Sequence, residues 1–251
     1  MVDFVGAGCG AADLITLRGK RLIEEADVII YAGSLVNPEL LGFAKESCEV
    51  HNSAYMDLDQ VISVMVKAEA DGKKIVRLHT GDPSVYGAIR EQMDRLDKLG
   101  IDYNVCPGVS SFCGAAAALK AEYTLPEVSQ TVIITRMAGR TPVPEKESIE
   151  SLAAHHATMV IFLSTGMLKE LSERLISGGY SPDSPAAIVY KASWKDEKIM
   201  RCTVAQLAET AEKNGIRKTA LITVGDFLGD DYALSKLYDK TFETEFRKAE
   251  K

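Results

Sequence analysis

Three short stretches of this 251-residue chain combine residue types that could hold a small ligand. Gly6-Ala7-Gly8-Cys9-Gly10-Ala11 is a glycine-rich turn, in which bare backbone can come close to a bound group. Thr80-Gly81-Asp82 sets a hydroxyl, an unshielded backbone and a carboxylate side by side. Pro107-Gly108 followed by Ser110 and Ser111 gives a tight turn with small hydroxyls opening a helix. Asp82 could hydrogen-bond an amino-acid moiety or offset a positive charge; standing before Pro83, it is equally a good helix N-cap. There is no Gly-x-Ser-x-Gly elbow and no histidine pair at metal-ligand spacing, since adjacent His155 and His156 would point about 100° apart on a helix, as surface residues. No protein-bound metal is expected, and the chemistry on offer is binding and orientation.

The first turn also fits the permissive Gly-x-Gly-x-x-Gly/Ala form of a dinucleotide site. A nicotinamide-dependent Rossmann oxidoreductase would need an acid at the end of the second strand, whereas Asp27 stands just before that strand, which ends in Tyr31-Ala32-Gly33. Thr16, not the turn itself, starts the next helix, so no helix N-terminus is aimed at a pyrophosphate. A plain structural turn is the other alternative.

The elements that must position these stretches alternate short β-rich runs with helix-length segments, the pattern of an α/β fold. Strands are expected at Val2–Val5, Val28–Tyr31, Ile75–His79 and Tyr103–Val105. Between them, Thr16 caps a helix through Leu17, Leu22 and Ala26, and Asn37-Pro38-Glu39 starts a short one. Asp57 with Gln60 forms a capping box for Val61, Val64, Met65 and Ala68, with Gly72 as the stop. Asp82 and Pro83 open a helix through Ile89, Met93 and Leu96 to Gly100. An alanine-rich helix, Phe112–Leu119, separates two α/β domains, residues 1–112 and 113–251. The second carries strands Thr131–Thr135, Met159–Leu163, Ala186–Tyr190, Ile199–Thr203 and Ala220–Val224, with helices Met167–Ile176 and Val204–Asn214. Two adjacent strands without a helix between them predict a mixed sheet. The charged tail after Tyr238 reads as solvated or as a frayed helix.

With 46% hydrophobic and 26% charged residues, the composition excludes disordered and fibrous classes. A formal charge of −7, from 29 Lys and Arg against 36 Asp and Glu, argues against nucleic acid or an anionic membrane as partner. Five cysteines without a Cys-x-x-Cys pair favour a reducing cytoplasm, and neither a signal peptide nor a spanning helix is expected.

Val5-Gly-Ala-Gly-Cys-Gly-Ala-Ala-Asp-Leu-Ile-Thr16, His79-Thr-Gly-Asp-Pro-Ser-Val-Tyr-Gly87 and Cys106-Pro-Gly-Val-Ser-Ser111 together resemble, in order and spacing, the signature segments of the tetrapyrrole methylases that use S-adenosylmethionine. The stretches Gln130–Glu145 and Val189–Ile199 resemble the branch that methylates C-11 of precorrin-4 or cobalt-precorrin-4 in cobalamin synthesis. Another methylase of the same pathway would share the first three segments. The resemblance runs from Met1 to about Leu228 and implies two α/β domains, a homodimer, and the methyl donor held in a cleft between domains. One departure stands out. The family usually has Gly-Pro-Gly-Asp-Pro in the first turn, where this chain has Gly8-Cys9-Gly10-Ala11-Ala12, so both prolines and the acid are missing.

By this resemblance Cys9, Thr80, Gly81, Asp82, Val85, Tyr86, Ser110, Ser111, Leu163, Ala192, Thr219 and Ala220 contact the donor. Asp82 is also one candidate for assisting proton loss from the macrocycle. The implied substrate is a macrocycle with many carboxylates, which a chain of charge −7 repels at long range, so local cations must compensate. Arg136 and Arg140 are expected to grip those carboxylates, with Lys191, Lys195 and Lys198 as lesser candidates; a solvated loop is the plain alternative. Any cobalt would belong to the substrate.

Overall fold

The computed structural model describes residues 1–249. They form two compact units, residues 1–115 together with 191–197, and residues 116–190 together with the chain from Lys198 onward.

The first unit is built on a parallel sheet of β1 (Val2–Gly6), β2 (Val28–Tyr31), β3 (Glu49–Asn52), β4 (Ile75–His79) and β5 (Tyr103–Cys106), in the order β3-β2-β4-β1-β5. All five residues of β4 are buried, as a central parallel strand requires. Helix α1 (Leu17–Glu25) starts where the sequence places it, with the Thr16 hydroxyl accepting from the Gly19 N–H. Helix α2 (Leu58–Ala70) carries the capping box of Asp57 and Gln60, both halves formed, worth about 1 kcal/mol to the helix. Helix α3 (Arg90–Leu99) ends on left-handed Gly100.

The connection from β1 to β2 passes over β4 in one direction, and that from β4 to β5 passes over β1 in the other. Right-handed crossovers then place α1 and α3 on opposite faces. The packing agrees. Ile23 of α1 packs with Val5, Ile29 and Leu78 on one face, while Val61 and Met65 of α2 and Leu96 of α3 pack with Phe4, Ile30 and Ile75 on the other. The connections from the neighbouring strands β1 and β4 therefore lead to helices on opposite faces, which makes the carboxyl ends of these strands the switch point where open α/β sheets take ligands.

Helix α4 (Ser111–Leu119) leads out of β5. The second unit has β6 (Val132–Arg136), β7 (Thr158–Phe162), β8 (Pro185–Tyr190), β9 (Lys198–Thr203) and β10 (Ala220–Val224), in the order β6-β7-β10-β8-β9. Only the β6–β7 pair is parallel, so the expected mixed sheet is present. Helices α5 (Ile149–Ala153), α6 (Leu168–Ser177) and α7 (Leu207–Lys213) cover it through a core containing Ile161, Leu171, Leu175, Ile188, Leu207 and Ile222.

Several elements differ from expectation. Asp82 and Pro83 open no helix: residues 83–89 curl irregularly and α3 begins only at Arg90, because Tyr86 and Ala88 are left-handed. The helix expected over Val204–Asn214 is a 3-10 turn, Val204–Gln206, followed by α7. His155 and His156 are exposed but follow α5 in a turn rather than lying on a helix. Strand β3, with its polar Glu-Val-His-Asn sequence at a sheet edge, was not expected. Residues 239–249 are mostly exposed turns without a helix.

Candidate functional site

The three ligand-type stretches stand at the carboxyl ends of β1, β4 and β5, in one place. The loops after β1 and β4 pair directly: the Ala7 N–H donates to the His79 carbonyl at 2.7 Å, the Gly81 N–H to Gly8 at 2.9 Å and the Gly8 N–H to Gly81 at 3.2 Å. The third loop packs on them through bare backbone. A Cβ built on Gly108 would stand 2.3 Å from the Gly81 carbonyl oxygen and 2.7 Å from the Gly6 Cα, so no side chain fits between these loops. Gly81 itself has φ +62, a conformation open to glycine at no steric cost.

Asp82 ties the arrangement together. One carboxylate oxygen accepts from the Ser84 N–H at 2.8 Å and from the Ser84 hydroxyl, and the other accepts from the Gly108 N–H at 2.9 Å. Burial pushes this carboxyl up, but the Ser84 hydroxyl and the two N–H donors outweigh that and hold it below its usual range, so it is ionised at neutral pH. It thus caps a turn and anchors the β5–α4 loop, instead of capping a helix. Beside it the Thr80 hydroxyl oxygen is buried without a hydrogen-bond partner, and Ser110 is buried just ahead of α4. An orphaned buried hydroxyl between bare backbone and an ionised carboxylate suits a polar, cationic ligand such as the expected methyl donor.

The glycine turn is held from its other side by residues that sequence reasoning missed. The Asn37 side chain donates to the Gly10 carbonyl at 3.0 Å, and the Ala11 N–H donates to the Ser193 hydroxyl at 3.0 Å. Cys9 is buried, its sulfur 3.5 Å from the Ser193 oxygen and 2.9 Å from where a Gly114 Cβ would be. A Cβ on Gly10 would fall 2.4 Å from the Trp194 ring. Segment 191–197 is braced by ion pairs Lys191–Asp196 and Lys195–Glu39 and by the Ser193 N–H to Glu197, while Lys191 and Ser193 keep left-handed backbone at φ 47 and 66. Non-glycine residues in that region cost of order 1–3 kcal/mol each and collect at ligand sites. Asn37 carries a local signal as a cap; nothing local announces the Ser193 and Trp194 contacts.

In the second unit, strand pairing gathers Leu163, Thr219 and Ala220. β10 runs antiparallel between β7 and β8, so its start at Ala220 lies beside Tyr190 and next to the end of β7. The Thr165 hydroxyl donates to the Ala220 carbonyl at 3.1 Å, and Leu163 and Thr219 are left-handed at φ 52 and 61. Leu163 is 65% exposed, so it is not a core residue at the end of its strand.

The cations differ among themselves. Arg136 donates to the carbonyls of Met137, Thr141 and Pro142 at 2.8–3.2 Å, closing its own loop. Arg140 is exposed on that loop. Lys191 lies 5.2 Å above the Trp194 ring, and Lys198 donates to the Asn214 carbonyl. Tyr86, at φ 55, and half-buried Val85 belong to the curled segment after Asp82, and Ala192 is buried in segment 191–197. Asp27 sits at the opposite end of β2 from these loops and binds Lys45 and the Lys74 N–H, so it cannot serve a nucleotide ribose there. Among the described residues no helix is long and apolar enough to cross a membrane, and no cluster of three His, Cys, Asp or Glu residues could hold a metal.

Comparison with known proteins agrees with this architecture. A cobalt-precorrin-4 C(11)-methyltransferase of Methanocaldococcus jannaschii is 60% identical over all of this chain and 97% of its own length. The corresponding protein of Priestia megaterium is 47% identical over 98% of this chain and 97% of its own length. A solved cobalt precorrin-4 methyltransferase superposes with a TM-score of 0.89 at 46% identity, covering 91% of this chain and 96% of that one. A uroporphyrin-III C-methyltransferase from Thermus thermophilus, complexed with S-adenyl homocysteine, gives 0.73 at 25% identity over 90% of this chain and 92% of that one. The model of the tetrapyrrole (corrin/porphyrin) methylases matches residues 1–208, and the chain belongs to that family.

Proposed function

We propose that this protein transfers a methyl group from S-adenosylmethionine to C-11 of precorrin-4 or its cobalt form, a step of corrin-ring synthesis. The observation that carries the reading is the 60% identity, over the whole chain, to a cobalt-precorrin-4 C(11)-methyltransferase. The donor supplies an electrophilic methyl on a good neutral leaving group, so the protein's task is to align it within about 3–3.5 Å of the attacking carbon. Thr80 and Ser110 supply hydroxyls, Gly81 and Ser111 backbone, and Asp82 a negative charge toward the cationic donor. Cys9, Val85, Tyr86, Ala192, Leu163, Thr219 and Ala220 are its further contacts in this proposal. Asp82 already accepts three hydrogen bonds, which favours a binding role over proton abstraction. Arg140 is the cation best suited to a substrate carboxylate, with Arg136 shaping the loop that presents it and Lys191 a further contact. A cytoplasmic homodimer completes the reading.

Calorimetry with S-adenosylhomocysteine and with NAD separates this class from an oxidoreductase: the first should bind and the second should not. Mass spectrometry after incubation with metal-free or cobalt-loaded precorrin-4 identifies the substrate, since it alone should gain one methyl group. No methylation of either form, with methylation of an earlier tetrapyrrole of the pathway, would overturn the C-11 assignment.

A further inference from the structure

Below the curled segment 83–89 lies a buried polar chain that the reading above leaves unused. Arg77 of β4 is 6% exposed and Gln92 of α3 is 5% exposed. The Arg77 Nε donates to Gln92 Oε1 at 3.0 Å and its Nη1 to the Ile30 carbonyl at 3.1 Å; Gln92 Nε2 donates to the Ala88 carbonyl at 3.0 Å. The amide orientation is enforced, because turning it over would set NH2 against the guanidinium and oxygen against a carbonyl.

Burial pushes the Arg77 guanidinium down to about 10, so it stays charged at neutral pH, and no carboxylate hydrogen-bonds it among the described residues. A buried cation without a counter-ion is a poor choice for packing alone. The segment it reaches needs external support. Tyr86 and Ala88 sit at φ 55 and 49, the Pro83 carbonyl oxygen is 2.1 Å from where a Gly87 Cβ would be, and Ile89, which stands at the N-cap position of α3, provides no side-chain cap.

We propose that Arg77 and Gln92 are positioning residues: the guanidinium fixes the Gln92 amide, the amide holds the Ala88 carbonyl, and the curl of residues 83–88 so held presents Val85 and Tyr86 to the methyl donor. This rests on the reading of Val85 and Tyr86 as donor contacts. Neither positioning residue touches the reacting atoms.

Gln92→Glu separates positioning from packing. It gives Arg77 a carboxylate partner, which keeps or raises the thermal midpoint, but replaces the donor facing the Ala88 carbonyl with an acceptor. Expected are S-adenosylhomocysteine binding about tenfold weaker by calorimetry, faster amide exchange over residues 83–89, and turnover at saturating donor within about twofold of wild type. Wild-type affinity together with wild-type exchange in the variant would overturn the proposal. A wild-type protein that fails to bind S-adenosylhomocysteine would overturn the donor reading instead, and the exchange comparison would still decide whether Gln92 holds the segment. Should Gln92→Glu not fold, Arg77→Met, which removes the charge and keeps much of the volume, is expected to show the same loss of affinity and faster exchange; neither change appearing there would also overturn it.

Discussion

Replacing Asp82 by asparagine tests the central tie of the site with a charge change and almost no change of shape. The carboxylate accepts from the Ser84 N–H, the Ser84 hydroxyl and the Gly108 N–H through two oxygens, whereas asparagine offers one. If that oxygen stays on Ser84, the new NH2 faces the Gly108 N–H, donor against donor. Losing one charge-assisted bond and stranding its partner costs about 2–3 kcal/mol. At roughly 2–4 °C per kcal/mol for a chain of this size, the midpoint should fall by about 4–12 °C at neutral pH. The sign with pH follows from the depressed carboxyl: its stabilisation is complete above the unfolded value of 3.8 and is lost as pH falls through the lower folded value. The gap between the thermal midpoints of the two proteins should therefore be constant above 3.8 and narrow as pH falls below it. Donor affinity should fall with the loop, while turnover at saturating donor stays near wild type. An equal midpoint at neutral pH would refute the reasoning, as would a gap that persists unchanged into acid.

Other outcomes follow from the same geometry. Gly10→Ala sets a methyl 2.4 Å from the Trp194 ring and 2.5 Å from the Ala192 carbonyl oxygen, an overpacking of about 1–3 kcal/mol; the chain's one tryptophan should shift its emission to the red and S-adenosylhomocysteine should bind more weakly, and an unchanged spectrum and affinity would contradict this. Arg140→Ala should raise the Michaelis constant for the macrocycle several-fold, roughly 1 kcal/mol, without moving the thermal midpoint, whereas Arg136→Ala should disturb both, since three loop carbonyls lose their donor. His79 is held at about 3 by burial, with nearby Arg77 adding to the effect, so the stability its neutral ring contributes is present above 6.5 and is lost as pH falls from there towards 3. His79→Phe should flatten the acid limb of stability over that interval, and equal slopes would count against the buried neutral ring.

What the sequence could reveal depended on how local the cause was. The Asp57–Gln60 capping box and the Thr16 cap lie within one helical turn, and both form. The glycine turn and the segments around Asp82 and Ser110 do stand together at strand ends, because alternating strands and helices leave few other places for them. The helix after Asp82 was misread because the deciding contacts are distant: Asp82 reaches Gly108 across 26 positions, and Gln92 reaches back to Arg77. Strand β3 escaped because an exposed edge strand of polar residues carries no apolar alternation. The first turn lacks the prolines usual in the family, which removes a local constraint; the bracing by Asn37 and Ser193 that holds it lies outside any local window.

The Ala11–Ser193 hydrogen bond joins residues 182 positions apart, and this has a consequence for synthesis. At about 5–20 residues per second, the glycine turn is synthesised roughly 10–40 s before the serine that anchors it. The parallel sheet around it can form in that interval, but the turn itself must wait, its backbone donors open to water. A nascent chain stopped before Ser193 would thus carry a nearly finished scaffold with an unset glycine turn, whose geometry is completed only late in translation.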